Sequence, residues 1–432
     1  MLNKLIREVK NRGLFVNVLL ATVVICSWCG DAAGQPGAEV KSMDNAEQFA
    51  LLCRIYNLAK NPPIHHVDLQ DHVKIVEEID TINSSFSESK LLNETEMTVN
   101  ASLTALKPTT TREAAVAQAI LRRISQKAHN ILDDIRRLNT TSAIENVKAV
   151  FAQVIFGGGG NESDLDKSTL SEVKGRADAC GKSGLQSKGQ SAGKNLVVDF
   201  FCLCAQNSDK NNGIENVCGV KVGSKDDNHS WGANTVLGSP SLWASIKKGC
   251  GNLFHRYPNS TKEGHEVLGD FLTHLKSGGV YRWGKNSILG SNRKAGMLGT
   301  SVGGDTGTSG NDLICDGKKG YAKGRQPPGG VCVYYGPDKW EENIEWLKKL
   351  KTALNTVDAL NNQTTTIQRD IQKLHMLLHR AEQIYETTKV ITEVQNPVMP
   401  TSLHTTAKRL TAYSAAWSNS PHAHFILLFV LL

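Results

Sequence analysis

Aromatic residues make up only 6% of this 432-residue chain. None of its apolar runs reaches the roughly 20 residues that a membrane-spanning helix needs, which excludes a multi-pass membrane protein. Nor is there a Lys/Arg block of the kind that tracks phosphates. The formal net charge is +7, from 49 basic against 42 acidic residues, and without clustering it argues against a nucleic-acid partner. Hydrophobic content of 40% and charged content of 21% exclude a disordered chain. Glycine and proline are missing from residues 109–156 and 338–395, so both stretches can be long helices. Residues 175–335 hold 29 of the 38 glycines, and are expected to be loops, turns and short strands. No cysteine follows Cys332.

The two ends carry export signals. Lys4, Arg7, Lys10 and Arg12 precede an apolar run from Leu14 to Ile25, and then the small residues Gly30, Ala32 and Ala33. Positive, apolar, small is the order of a secretory signal peptide, assigned here to residues 1–32. A buried N-terminal helix is the alternative. At the other end Ser414-Ala415-Ala416 is followed by a polar spacer, Trp417 to His424, and the apolar Phe425 to Leu432. These are the three parts of a GPI-attachment signal. Ser414 is the expected attachment residue, with 396–414 as linker and 415–432 removed. A buried C-terminal strand is the alternative. Together the signals place the mature chain on the outer leaflet of the plasma membrane, tethered by lipid.

Export sets the redox compartment. With Cys26 and Cys29 lost in the signal, eight cysteines remain: Cys53, Cys180, Cys202, Cys204, Cys218, Cys250, Cys315 and Cys332. An even count in an oxidising compartment reads as up to four disulfides, and the 105 possible pairings are not resolved by spacing. Cys53 alone among them lies outside the glycine-rich block, so full pairing must tie the first helix to that block. Asn-x-Ser/Thr acceptors for glycosylation occur at Asn83, Asn93, Asn100, Asn139, Asn161, Asn228, Asn259 and Asn362.

Apolar periodicity predicts helices over about 42–92, 109–156 and 338–395. In the first, Ala46, Phe49, Cys53 and Tyr56 form one stripe and Leu69, Val73, Val76 and Ile79 another, with Pro62-Pro63 kinking or breaking the helix between them. In the second, Ala117, Ile120, Ile124, Ala128, Ile131, Ile135 and Leu138 recur at steps of three and four. The pattern resumes as Ile144, Val147, Phe151 and Val154, and Gly157 to Gly160 ends it. In the third, Trp340, Ile344, Leu347, Leu350, Leu354 and Val357 precede a polar interruption at Asn361 to Thr366. Ile367, Ile371, Leu374, Leu378, Ala381, Tyr385, Thr388 and Ile391 then form a heptad seam, which requires a partner helix. The fold class that follows is mainly α: an elongated helical bundle or coiled coil, with a disulfide-bonded, glycine-rich loop region as its head.

Few side chains suggest chemistry. Gly299-Thr300-Ser301-Val302-Gly303 matches G-x-S-x-G, but neither a strand before nor a helix after Ser301 is expected from its flanks, Ser291 to Lys294 and Gly304 to Gly307. Gly181-Lys182-Ser183 resembles the end of a phosphate-binding loop, yet the required glycine would fall at Arg176. His375 and His379 stand four apart on a helix with no third metal ligand in view, and His65 and His66 read as loop surface. Cys202-x-Cys204 fits disulfides to two different partners. No catalytic residue, cofactor, metal or small-molecule substrate is expected.

One run is more specific. Ala179-Cys180-Gly181-Lys182-Ser183-Gly184 is followed by Ala192-Gly193-Lys194-Asn195 and Leu196-Val197-Val198-Asp199-Phe200-Phe201-Cys202-Leu203-Cys204. Trp243, Cys250 and Val331-Cys332-Val333-Tyr334-Tyr335 complete it. This resembles the N-terminal domain of a trypanosome variant surface glycoprotein of the class b type, over residues 33–395. The lack of cysteine after Cys332 resembles the family's short, linker-only C-terminal form. The resemblance implies a GPI-anchored coat glycoprotein, homodimeric, that meets host antibodies and supports antigenic variation and immune evasion without catalysis. The alternative is a GPI-anchored receptor for a host serum protein on the same scaffold.

Overall fold

A computed structural model describes residues 37–66, 70–96, 112–138, 140–182, 188–225, 228–253, 258–285, 289–304, 312–321 and 327–395. The protein is mainly α. Its contacts divide it into two compact units, one within Met1–Val67 and Leu138–Gln368, the other within Asp68–Arg137 and Arg369–Leu432.

The first unit begins with α1 (Ala46–Lys60). Ten of its 15 residues are buried, so it is a core helix, covered well beyond the single stripe of Ala46, Phe49, Cys53 and Tyr56. Pro62-Pro63 lies in the non-helical segment that follows, where each proline lacks the N–H a helix needs. Helix α4 (Thr141–Phe156) buries Val147, Phe151, Val154 and Ile155, and stops at Gly157, whose φ of +85° a side chain would resist.

The glycine-rich region is more regular than its composition predicts, and holds α5 (Arg176–Cys180), α6 (Leu196–Cys204), α7 (Ser239–Leu253) and α8 (Thr261–Ser277). Caps explain part of this. The Asn195 side chain accepts the Val198 N–H at 2.9 Å, and Ser260 accepts that of Glu263 at 3.3 Å, meeting N–H groups that a helix start leaves open. A two-stranded pair joins β1 (Ser230–Trp231) to β2 (Val236–Leu237).

A four-stranded sheet follows, from β3 (Gly279–Trp283), β4 (Gly290–Lys294), β5 (Met297–Val302) and β6 (Gly329–Tyr334), in the order β4-β3-β5-β6. Only β3 and β5 run parallel, with Tyr281 opposite Ser301. Gly278 makes the turn from α8 into β3 at φ +82°, where a Cβ would stand 2.2 Å from the Lys294 carbonyl oxygen. The short α9 (Trp340–Asn343) leads into α10 (Glu345–Gln395). The polar Asn361 to Thr366 segment does not interrupt α10. Thr365 and Thr366 bond back to the Asn361 and Asn362 carbonyls inside the helix, and Thr364 is buried.

Core packing centres on α6, whose nine residues are all buried. Edge-to-face contacts link Phe200 to Phe49, Tyr56 and Trp243 at centroid distances of 5.7, 6.4 and 5.9 Å, a favoured aromatic geometry. Around Phe271 lie Tyr335 and Trp346, at 6.1 and 4.9 Å.

The second unit holds α2 (Gln70–Glu96), α3 (Arg112–Arg137) and the later part of α10. Helix α3 does not continue to residue 156; residues 138–140 separate it from α4. Its buried line is Ala117, Leu121, Ile124, Ala128, Leu132 and Ile135. The predicted stripe named Ile120 and Ile131 in place of Leu121 and Leu132, yet Ile120 is 36% exposed. The apolar arc is wider than one seam, and packing against α2 selects its centre. Asp80 of α2 fixes that packing by accepting from Ser125 at 2.6 Å and meeting His129 Nε2 at 2.8 Å. Along α10, Ile367, Leu374, Ala381 and Thr388 of the predicted seam are buried at intervals of seven, while its other positions, Ile371, Leu378, Tyr385 and Ile391, are half-buried.

Replacing Leu121 by Ala should therefore cost about 2–5 kcal/mol of stability in a denaturant titration, and Ile120→Ala less than about 1. Equal costs would return the seam to the predicted stripe.

Candidate functional site

Two ionisable side chains are fully buried in the core around α6. Asp199 is fully buried in an otherwise apolar helix. Its Oδ1 accepts the Gly193 N–H at 2.9 Å, and its Oδ2 accepts the Tyr335 hydroxyl at 2.8 Å and the Trp346 indole N–H at 2.6 Å. Burial still dominates, pushing the carboxyl up to about 6 against the pull of those three donors. The Tyr335 hydroxyl is raised well above its ordinary range by burial and by Asp199.

Arg176 is the second buried ion. Its Nη1 donates to the Trp231 carbonyl at 3.1 Å, and Nη2 to those of Phe201 and Cys202 at 3.4 and 3.2 Å. The guanidinium lies 5.3 Å from the Trp231 ring centre, close enough for a cation–π contact. Burial lowers it to about 10, opposed by Asp316, so it stays charged at neutral pH. Two of those carbonyls, Phe201 and Cys202, lie in the last turn of α6, where a positive charge suits the helix dipole. Gly317 (φ +81°) makes room for it, since a Cβ there would stand 2.3 Å from Nη1.

Four disulfides hold this region: Cys53–Cys250, Cys180–Cys202, Cys204–Cys218 and Cys315–Cys332. Cys202 and Cys204 sit on a helix, not on a strand, and bond to different partners. Cys53 joins α1 to α7.

Apart from Cys202 and Cys204, the residues that the sequence nominates for chemistry are scattered. Ser301 is fully buried within β5, its Oγ 3.2 Å from both the Ile314 and Gly329 carbonyl oxygens, so it is closed to a substrate. Its flank at 291–294 lies in strand β4, where no regular structure is predicted, and the described residues that directly follow β5, 303–304, are not helical. Lys182 pairs with Asp178. His375 and His379 are exposed on α10, with His379 beside Glu382 at 3.7 Å and Gln383 at 3.0 Å. His65 and His66 are exposed after the diproline. Among the described residues no group of three metal-ligating side chains forms, and no helix is long and apolar enough to cross a membrane.

Of the sequons, Asn161, Asn228, Asn259 and Asn362 are exposed and Asn83 is half-buried on α2. Asn161 Oδ1 accepts the Ser163 hydroxyl at 2.7 Å and the Asp164 N–H at 2.9 Å, an Asx turn at the surface. The Asn93 side chain, Asn100, Asn139, Ser414 and segments 1–32 and 396–432 lie outside the described residues.

A model described as the Trypanosomal VSG domain matches residues 31–102 and 93–376. The chain belongs to the trypanosomal VSG domain family. Among its relatives is variant surface glycoprotein YnAT 1.1 of Trypanosoma congolense, 27% identical over 223 residues, covering 48% of this chain and 50% of that protein. Variant surface glycoprotein YnAT 1.3 of the same organism is 28% identical over 211 residues, covering 46% and 43%. This VSG-domain chain thus spans about half the length of the curated relatives it matches.

The roles of Arg176, Asp199, Tyr335 and Trp346 were not predicted. The available signal was the single acid in Leu-Val-Val-Asp-Phe-Phe-Cys-Leu-Cys, since a carboxylate in an apolar run must find donors when buried.

Two measurements follow. Peptide mapping without reductant should recover the four linked pairs above, and a Cys202–Cys204 link would contradict them. For Asp199, the folded protein holds its proton more tightly than the unfolded chain, so the contribution is present below about pH 4 and lost as pH rises through about 6. Relative to Asp199→Asn, the wild type should lose about 3 kcal/mol across that window. A pH-independent difference would show an unshifted carboxyl.

Proposed function

We propose that this VSG-domain chain is a GPI-anchored surface coat glycoprotein that acts by occupying space at the cell surface, and that it performs no catalysis. Ser301 is sealed under two carbonyls and Asp199 holds three donors, so the groups most suited to chemistry serve packing. That arrangement, in a member of the VSG domain family, is the observation that carries the reading. The order of small residues, polar spacer and apolar residues over 414–432 supports a lipid anchor at Ser414.

A crosslinked core suits such a role. Four disulfides keep the glycine-rich region closed while its exposed turns remain free to differ between copies, which is the physical basis for antigenic variation and for evasion of host antibodies. Glycans at exposed sequons such as Asn161 and Asn259 would add bulk. A homodimer is supported by apolar residues left open at helical spacing on α10, Val390 at 56% and Val394 at 75% exposed.

Treating intact cells with a phosphatidylinositol-specific phospholipase should release the protein into the medium as a glycosylated, disulfide-bonded species. Retention on the cells would refute the anchor. Recovery of a stoichiometric host serum protein with the released chain would favour a receptor over a coat.

A further inference from the structure

Within the first unit a cleft of about 800 Å³ opens between α8 and the segment formed by α9 and the first turns of α10. The cleft is largely open to solvent, and its volume far exceeds a single small anion. Its lining is net positive. Lys276 reaches it from α8, Lys339 from the turn before α9, and Lys348 and Lys351 from α10, against Glu341 and Glu342. Glu341 is already taken by Lys351 at 2.5 Å. Lys276, Lys339 and Lys348 have no ion-pair partner among the described residues, so Glu342 is left facing three lysines.

Trp340 supplies the apolar part. Its indole N–H is turned onto the Gly336 carbonyl at 2.8 Å, so what it offers the cleft is carbon. The placement of Lys339 is built into the backbone. It holds φ +51°, a left-handed conformation uncommon outside glycine, as the residue before α9. Its backbone carbonyl accepts the N–H groups of Glu342 and Asn343 at 3.0 and 2.9 Å, which anchors that turn.

We propose that this cleft binds a sulfated oligosaccharide, the lysines meeting sulfates on successive rings and Trp340 packing against a sugar face. The lysines that line the cleft come from three segments of chain, which suits several separate anionic groups better than one. Lysine is a compact point charge with freely rotating donors, and meets sulfates without the fixed fork that arginine imposes. The inference is independent of the coat reading, since it concerns a side surface of the folded unit and not the anchor.

The test is a fluorescence titration of the full-length protein with a heparin-derived tetrasaccharide at about 50 mM salt, where surface charges are weakly screened. Saturable binding should weaken steeply as salt is raised, and should change an indole emission that Trp340→Phe removes. The double variant Lys276→Glu/Lys339→Glu should bind at least about ten-fold more weakly with an unchanged circular dichroism spectrum. Reversing the exposed Lys167 and Lys174 alters net charge equally and should leave affinity intact. Three results would overturn the assignment: no saturable binding, an equal loss in that control, or equal affinity for the fully desulfated tetrasaccharide. Tighter binding of inositol hexakisphosphate than of the tetrasaccharide would also overturn it, in favour of a compact phosphate.

Discussion

One buried carboxylate sets the terms for the larger unit. Asp199 lies buried in the first turn of α6, where an ion without partners would be costly, and three donors from three separate stretches of chain converge on it. Gly193 precedes the helix, Tyr335 follows β6, and Trp346 opens α10. Hydrophobic burial alone is non-directional and would tolerate α6 sliding or rotating. The requirement to satisfy both carboxylate oxygens makes one register preferable to its neighbours.

Arg176 closes the other end of the same helix. It takes the terminal carbonyls of α6 while Cys180, four residues on, is bonded to Cys202. Cys204 is bonded to Cys218. Covalent links, a buried cation and a buried anion are thus concentrated on nine residues. Such concentration has a physical motive, because glycine-rich chain loses much conformational entropy on ordering and contributes little side-chain burial in return. Crosslinks reduce that loss by restricting the unfolded chain. A core closed by these links does not depend on the side chains of its surface turns for stability.

The smaller unit relies on a different device. Helices α2 and α3 and the later part of α10 bury narrow lines of apolar residues, with Asp80 bridging Ser125 and His129 beside the seam. Polar residues at buried positions of α10, Asp370 and Thr388, lower the hydrophobicity of its buried line. Asp370 is balanced by Lys373 at 2.8 Å, and Thr388 donates to the Ile384 carbonyl at 2.7 Å. Their polar groups are met within the helix, so burying them there is tolerated.

Local chemistry was legible in the chain alone. The diproline ending α1, the glycine stop after Phe156 and the seven-residue spacing of Ile367, Leu374 and Ala381 depend only on neighbouring backbone and on helix period. The even cysteine count likewise follows from composition. Tertiary structure decided what depends on distant partners. Which of Ile120 and Leu121 faces inward was settled by α2, because the apolar arc of α3 admits both. Cysteine pairing, and the role of Asp199 as the acceptor for Gly193, Tyr335 and Trp346, were settled by folding, because those groups lie up to 197 residues apart and only the packed core brings them within bonding distance.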